Sequence, residues 1–191
     1  PAAAAQADGL GSFGRLLDYG PRQTLPGQLA LLGLTAADID VAVLTHGHID
    51  HVGALPLVGC PLVLTATERA DLRPRYFADV RPIGWPDLPT RRIDAPTDLC
   101  GGLRLIPPPG HTPGHLSVLV TLPSGPVILA ADAINRASEP AEGYPDAEDP
   151  VAAAASGAAL MALRDRLGAR LVWGHDPAQW GGLAKAPQPW P

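Results

Sequence analysis

The stretch LTHGHIDHVGALP, residues 44–56, decides how this chain is read. The whole sequence has six histidines, and three of them, His46, His48 and His51, fall in this one segment beside Asp50. It continues VAVLT (41–45), a β-branched apolar run of strand length, so the imidazoles stand where a buried strand ends. In extended backbone, residues two apart face the same side. His46 and His48 therefore point at one centre. Past His48 the chain turns towards a helix, which aims Asp50 and His51 at a second, adjacent centre. Gly47 permits close approach and Gly53 a tight turn.

Three more candidates end apolar runs. His111 lies in PPPGHTPGH, just before LSVLVTL (116–122); Asp132 ends PVILAAD; His175 follows RLVWG. Each alone reads as readily as a cap or turn former. Together they mean that four strand ends deliver metal-type ligands, which is how α/β folds gather a site from distant segments. Five histidines and two aspartates exceed the roughly four ligands of one tetrahedral metal. They suit two divalent cations sharing a bridging carboxylate. Such a centre keeps positive charge for an oxyanion and lowers the pKa of bound water to about 7. The donor set suits Zn, with Fe, Mn or Co as alternatives.

The rest of the chain bounds this picture. Its 191 residues, 46% hydrophobic, suffice for one domain with a sizeable core. A net charge of −5 without a basic stripe argues against nucleic acid as a partner. No apolar run approaches the ~20 residues of a membrane span. Cys60 and Cys100 lack CxxC spacing and suggest no disulfide framework, in keeping with a cytoplasmic protein.

Residues 1–14, rich in Ala and Gly, are expected to be poorly structured, and one domain to span 15–191. Strands are expected at 15–18, 41–45, 61–65, 102–107, 116–122, 126–133 and 170–173, with a hairpin at PSG (123–125). Helices are expected at 25–34, after Asp50, at 66–72 behind a Thr65 or Thr67 cap, at 149–169 between Asp149 and Gly168, and after Asp176. Residues 74–98, with five prolines, and the acidic stretch 134–149 read as loops. Strands interleaved with helices give an α/β layered fold with a mixed sheet.

THGHIDH resembles the HxHxDH signature of the metallo-β-lactamase fold superfamily, and GHTPGH, AAD and WGHD agree with it downstream. Their order and spacing, with GHDPAQW and LAKAP near the end, are similar to the N-acyl-homoserine lactonases, the quorum-quenching branch. The resemblance implies an αββα sandwich. Because LLDYG (16–20) resembles a turn that several strands normally precede, it also implies a first sheet shortened or truncated at the N-terminus. It assigns His46, His48 and His111 to a first metal, Asp50, His51 and His175 to a second, and Asp132 to the bridge. His115 is left a structural part, a hydrogen bond pinning the His111 loop.

The implied activity is a dinuclear hydrolase acting on a small-molecule lactone or ester, N-acyl-homoserine lactones foremost. A metal-bridging hydroxide attacks the carbonyl and Asp50 carries a proton to the leaving oxygen. Several of these lactonases place a tyrosine on the substrate carbonyl where this chain has Asn135, which donates a hydrogen bond but is no acid; Tyr144, in the same loop, is the candidate replacement. Tyr76, Phe77, Ile83 and Trp85 are candidates for an acyl-chain pocket. A homodimer is compatible with the sequence. A class B β-lactamase is disfavoured, since neither cysteine occupies a ligand position. A thioesterase of the glyoxalase II type shares nearly the same ligands and is the alternative, together with a non-catalytic metal-binding scaffold.

Overall fold

A computed structural model describes residues 20–71 and 84–190. The expected strand at 15–18 and the N-terminal segment 1–14 lie outside them. After α1 (Leu25–Ala30), the first sheet is three parallel strands in the order β1 (Ala42–Val43), β2 (Leu62–Thr65) and β3 (Thr90–Ile93). The short helix α2 (Ile49–Val52) follows β1, and α3 (Ala66–Ala70) follows β2.

The second sheet has five strands in chain order: β4 (Thr97–Cys100), β5 (Leu103–Ile106), β6 (Ser117–Leu122), β7 (Gly125–Leu129) and β8 (Arg170–Val172). Neighbours are antiparallel except β7 and β8, which run parallel. That last pair needs a crossover, and the long helix α5 (Pro150–Leu167), preceded by α4 (Glu139–Glu142), supplies it. The chain closes with α6 (Pro177–Gly182).

Side-chain alternation sorts the apolar residues into three layers. Val63 and Ile93 of the first sheet meet Leu105 and Leu116 of the second sheet's side between the sheets. Leu62 and Leu64, pointing the other way, pack under α2 with Leu44, Val52 and Leu55. Ile128 and Leu171 face α5 through Ala153 and Leu160. The result is the expected αββα sandwich. All four residues of β2 are buried because it is the central strand and is covered on both faces. Among the described residues no helix is long and apolar enough to cross a membrane.

Most elements fall where the sequence puts them. Asp149 caps α5 by accepting from Val151 and Ala152, and Gly168 ends it at a φ of 60°. Thr65, not Thr67, caps α3. The stretch 74–98 is not one irregular loop: it holds β3 and the start of β4. The acidic stretch 134–149 contains α4. The expected strand at 126–133 ends at Leu129, and a 3-10 turn over Ala131–Ala133 follows.

Candidate metal centre

The donors gather at one end of the two sheets. Leu44 keeps the β1–β2 pairing by donating to the Val63 carbonyl, so His46 leaves the sheet edge at a defined place and is fully buried. His48 is the N-cap of α2; its carbonyl accepts from His51 and Val52, so Asp50 and His51 are presented from the first turn of that helix, with the His51 ring 4.1 Å from that of His46. His111 sits in a loop pressed against α5. A Cβ on Gly110 would lie 2.3 Å from the Ala153 nitrogen, and the φ of 136° there also favours glycine.

On the second sheet, Ala131 takes a left-handed φ of 47° before Asp132, strain at the residue that presents the carboxylate. His175 donates its N–H to the Asn135 carbonyl at 2.7 Å, which docks the end of β8 onto the turn after Asp132. Gly174 permits this, since a Cβ there would lie 2.5 Å from the Ala131 carbonyl oxygen.

Two groups result: His46, His48 and His111, and Asp50, His51, Asp132 and His175, with the ligand atoms of each group within 4.8 Å of one another. His48 Nδ1 stands 3.0 Å from His111 Nε2. Asp132 lies between the groups. Its Oδ2 is 3.3 Å from His111 Nε2, 3.7 Å from His46 Nε2 and 3.2 Å from His175 Nε2, and its Oδ1 is 3.2 Å from His51 Nε2. Asp50 closes the second group at 3.3 Å from His51 and 3.2 Å from His175. Nitrogens bound tetrahedrally to a cation at ~2.0–2.1 Å stand about 3.3 Å apart, so these spacings match a shared cation.

The unmet hydrogen-bonding needs point the same way. His46 Nε2, His51 Nε2 and Asp132 Oδ1 are buried without a hydrogen-bond partner, a costly state unless something else binds them. Burial holds the His46 imidazole far below its usual range and pushes His111 down to about 4, so both are the neutral bases a metal takes. His51 is lifted to about 9: burial acts against its charge, but the adjacent carboxylates of Asp132 and Asp50 outweigh it. The same two carboxylates lift His175 to about 10. In the metal-free chain, two imidazole protons thus balance two carboxylates. Two divalent cations, one per donor group, do the same with charge to spare, and the residues fit them.

The sequence pattern of the Metallo-beta-lactamase superfamily matches residues 11–175. The chain belongs to the metallo-beta-lactamase superfamily. It is 33% identical over 180 residues to the N-acyl homoserine lactonase AttM of Azorhizobium caulinodans, covering 84% of this chain and 66% of that protein. It is 31% identical over 159 residues to Metallo-beta-lactamase domain-containing protein 1 of Xenopus laevis, covering 82% and 62%. The chain spans about two thirds of the length of these curated relatives. The fold also matches a solved N-acyl homoserine lactone hydrolase that carries its product N-hexanoyl-L-homoserine at the catalytic metal center. That match has a TM-score of 0.82 at 24% identity and covers 98% of this chain and 78% of that one.

Within this member of the metallo-beta-lactamase superfamily, several expected roles change. Asn135 is buried, and its backbone N–H and side-chain Nδ2 both donate to Glu139. Its amide N–H groups hold this turn together. Tyr144 belongs to the core under α5, its ring so close to Gly157 that a Cβ there would sit 1.9 Å from the hydroxyl. That packing corrects the expectation that Tyr144 replaces a substrate-contacting tyrosine. Of the pocket candidates, Tyr76, Phe77 and Ile83 lie outside the described residues. Trp85 covers the cluster beneath α2, donates from Nε1 to the Asp71 carbonyl at 2.8 Å and stacks under Arg69, a packing role. His115, at the end of the His111 loop, accepts the Asp132 backbone N–H on Nε2 at 3.1 Å, so this hydrogen bond ties that loop to Asp132.

Two buried carboxylates escape the sequence reading. Glu68 and Glu139 are glutamates at most 2% exposed; Glu68 bonds Gly47 and Thr112 beside the first donor group, and Glu139 bonds Asn135. Nothing local marks them: Glu68 stands between Thr67 and Arg69 and Glu139 between Ser138 and Pro140, as a glutamate on an exposed helix surface would.

Proposed function

We propose that this chain is a dinuclear metal-dependent hydrolase that opens lactone rings, N-acyl-homoserine lactones foremost. The observation that carries the reading is Asp132, whose carboxylate lies 3.3 Å from His111 of one donor group and 3.2 Å from both His51 and His175 of the other. The 33% identity to an N-acyl homoserine lactonase supports the substrate class. His46, His48 and His111 would hold a first ion and Asp50, His51 and His175 a second, with Asp132 in reach of both. Two divalent cations, Zn on this donor set, would there supply Lewis-acid polarisation of an ester carbonyl and a water made nucleophilic at neutral pH.

The chain's own residues do the rest. His46 and His111, buried and neutral, keep the inner wall closed to water. Asp50 and His175, with side chains 43% and 49% exposed, form the open mouth where the substrate enters. Asp50 is the carboxylate placed to hand a proton to the leaving oxygen. His115 fixes the backbone of Asp132, so the bridge keeps its orientation. Residues 15–191 form the catalytic domain. Both free thiols, buried Cys60 and exposed Cys100, suit a reducing compartment, and we place the protein in the cytoplasm.

The test is acid release from a panel of lactones of increasing acyl length, set against thioesters, with purified Zn-loaded chain. Lactone turnover that disappears on chelation is expected. Thioester hydrolysis with no lactone opening at any chain length overturns the substrate class. Two bound ions with no turnover of any ester overturn the enzyme reading.

A further inference from the structure

Glu68 stands in α3, one turn after β2, and is 2% exposed. Its Oε1 accepts the Gly47 backbone N–H at 2.8 Å, and its Oε2 accepts the Thr112 hydroxyl at 2.8 Å. Gly47 lies between His46 and His48, and Thr112 follows His111. One carboxylate therefore touches both loops that carry the first donor group, loops that belong to different sheets. The mounting is itself fixed. Thr65 Oγ1 accepts the Glu68 N–H at 3.0 Å and donates to the Gly114 carbonyl at 2.7 Å. The Gly114 loop packs so tightly here that a Cβ would lie 2.3 Å from the Glu68 nitrogen.

A buried carboxylate is unfavourable unless it is hydrogen-bonded, and an apolar side chain of similar volume serves stability as well or better. Its placement calls for another explanation. We propose that Glu68 is a positioning residue: a clamp that joins the His46–His48 turn to the His111 loop and so sets the spacing of the first metal group. The inference rests on the reading that this group holds a metal ion. Facing His48 Nδ1 and His111 Nε2 come from positions 63 residues apart and stand 3.0 Å from each other. Contacts that orient ligands in this way typically change metal affinity by about 10–100-fold when removed.

The clamp acts by geometry, which makes the substitutions discriminating. In Glu68→Gln the amide oxygen still accepts from Gly47, and the NH2 donates to Thr112, whose hydroxyl can accept. Glu68→Leu removes both links, and Thr112→Val removes one. The measurement is Co(II) titration of the full chain against a competing chelator, with the visible Co(II) spectrum as a report on coordination and circular dichroism as a check on fold. Glu68→Leu is expected to weaken one of the two ions by about 10–100-fold and to change its spectrum. Thr112→Val should weaken the same ion less, and Glu68→Gln should resemble the parent chain.

A folded Glu68→Leu with both parental affinities and the parental spectrum overturns the clamp while leaving the metal reading intact. Glu68→Gln as damaging as Glu68→Leu overturns it too, since the charge and not the hydrogen bonds then matters. If Glu68→Leu does not fold, Thr112→Val decides, and unchanged affinity there overturns the clamp. A parent chain that binds no ion overturns the metal reading first, and the clamp with it.

Discussion

Asp132 and His46 occupy different places in the same network, and their loss should read differently. His46 is fully buried, belongs to the first donor group and faces Asp132 at 3.7 Å. Asp132 has near neighbours in both groups: His111 and His46 on one side, His51 and His175 on the other. Replacing His46 by Ala should weaken one ion, and replacing Asp132 by Ala should weaken both. Each should lower lactone turnover by more than the about 10–100-fold typical of residues that only support a ligand. Metal per chain after dialysis, measured beside activity, checks this. If both variants keep two ions, the assignment of these residues is wrong.

The elements show how a support far from the chemistry reaches it. Asp149 starts α5 by accepting from the Val151 and Ala152 N–H groups, each at 3.0 Å. Its own N–H donates to the Gly110 carbonyl, and the Glu148 N–H donates to that of His111. The start of the helix and the His111 loop thus form one unit. Asp149→Ala should cost about 1 kcal/mol, or roughly 2–4 °C in Tm for a chain of this size. Asp149→Asn, an equally good cap, should recover most of it. Thermal unfolding of the three proteins tests the point, and an unchanged Tm for the Ala variant would mean that the cap is not holding the helix.

This cap was legible because Asp-Pro before an alanine-rich run is a local signal, and so was the histidine turn, where strand, glycine and donors are contiguous. The misses share a physical cause. Strand β3, with Arg91 and Arg92 exposed, carries no apolar run to mark it. The Glu68–Gly47 bond spans 21 residues and the His115–Asp132 bond 17, so both are made by the fold and leave no pattern in the sequence. Tyr144 carries no mark of its core position, because a buried aromatic and a substrate-facing one look alike in a loop sequence.

At the scale of the whole molecule, the donors divide between the two sheets. His46, His48, Asp50 and His51 come from the end of β1 in the first sheet, whereas His111, Asp132 and His175 come from the second. Between the sheets lie a modest apolar layer around Val63, Ile93, Leu105 and Leu116, the Leu116–Thr45 backbone bond and the Glu68–Thr112 link. Ions held by donors from both sides tie the sheets together, and they bind only when both are in place. Metal affinity therefore adds directly to folding stability: about 4 kcal/mol when free metal stands 1,000-fold above Kd. Stripping the metal should lower Tm by about 10 °C, and adding Zn back should restore it. Differential scanning calorimetry with and without chelator reads this, and hydrogen exchange locates it. Protection should fall at the His46–Val52 turn and the His111 loop together, because each relies on the other through the ions. Loss confined to one of the two would show that the ions do not join the sheets, and an identical Tm in chelator would show that they add nothing to folding.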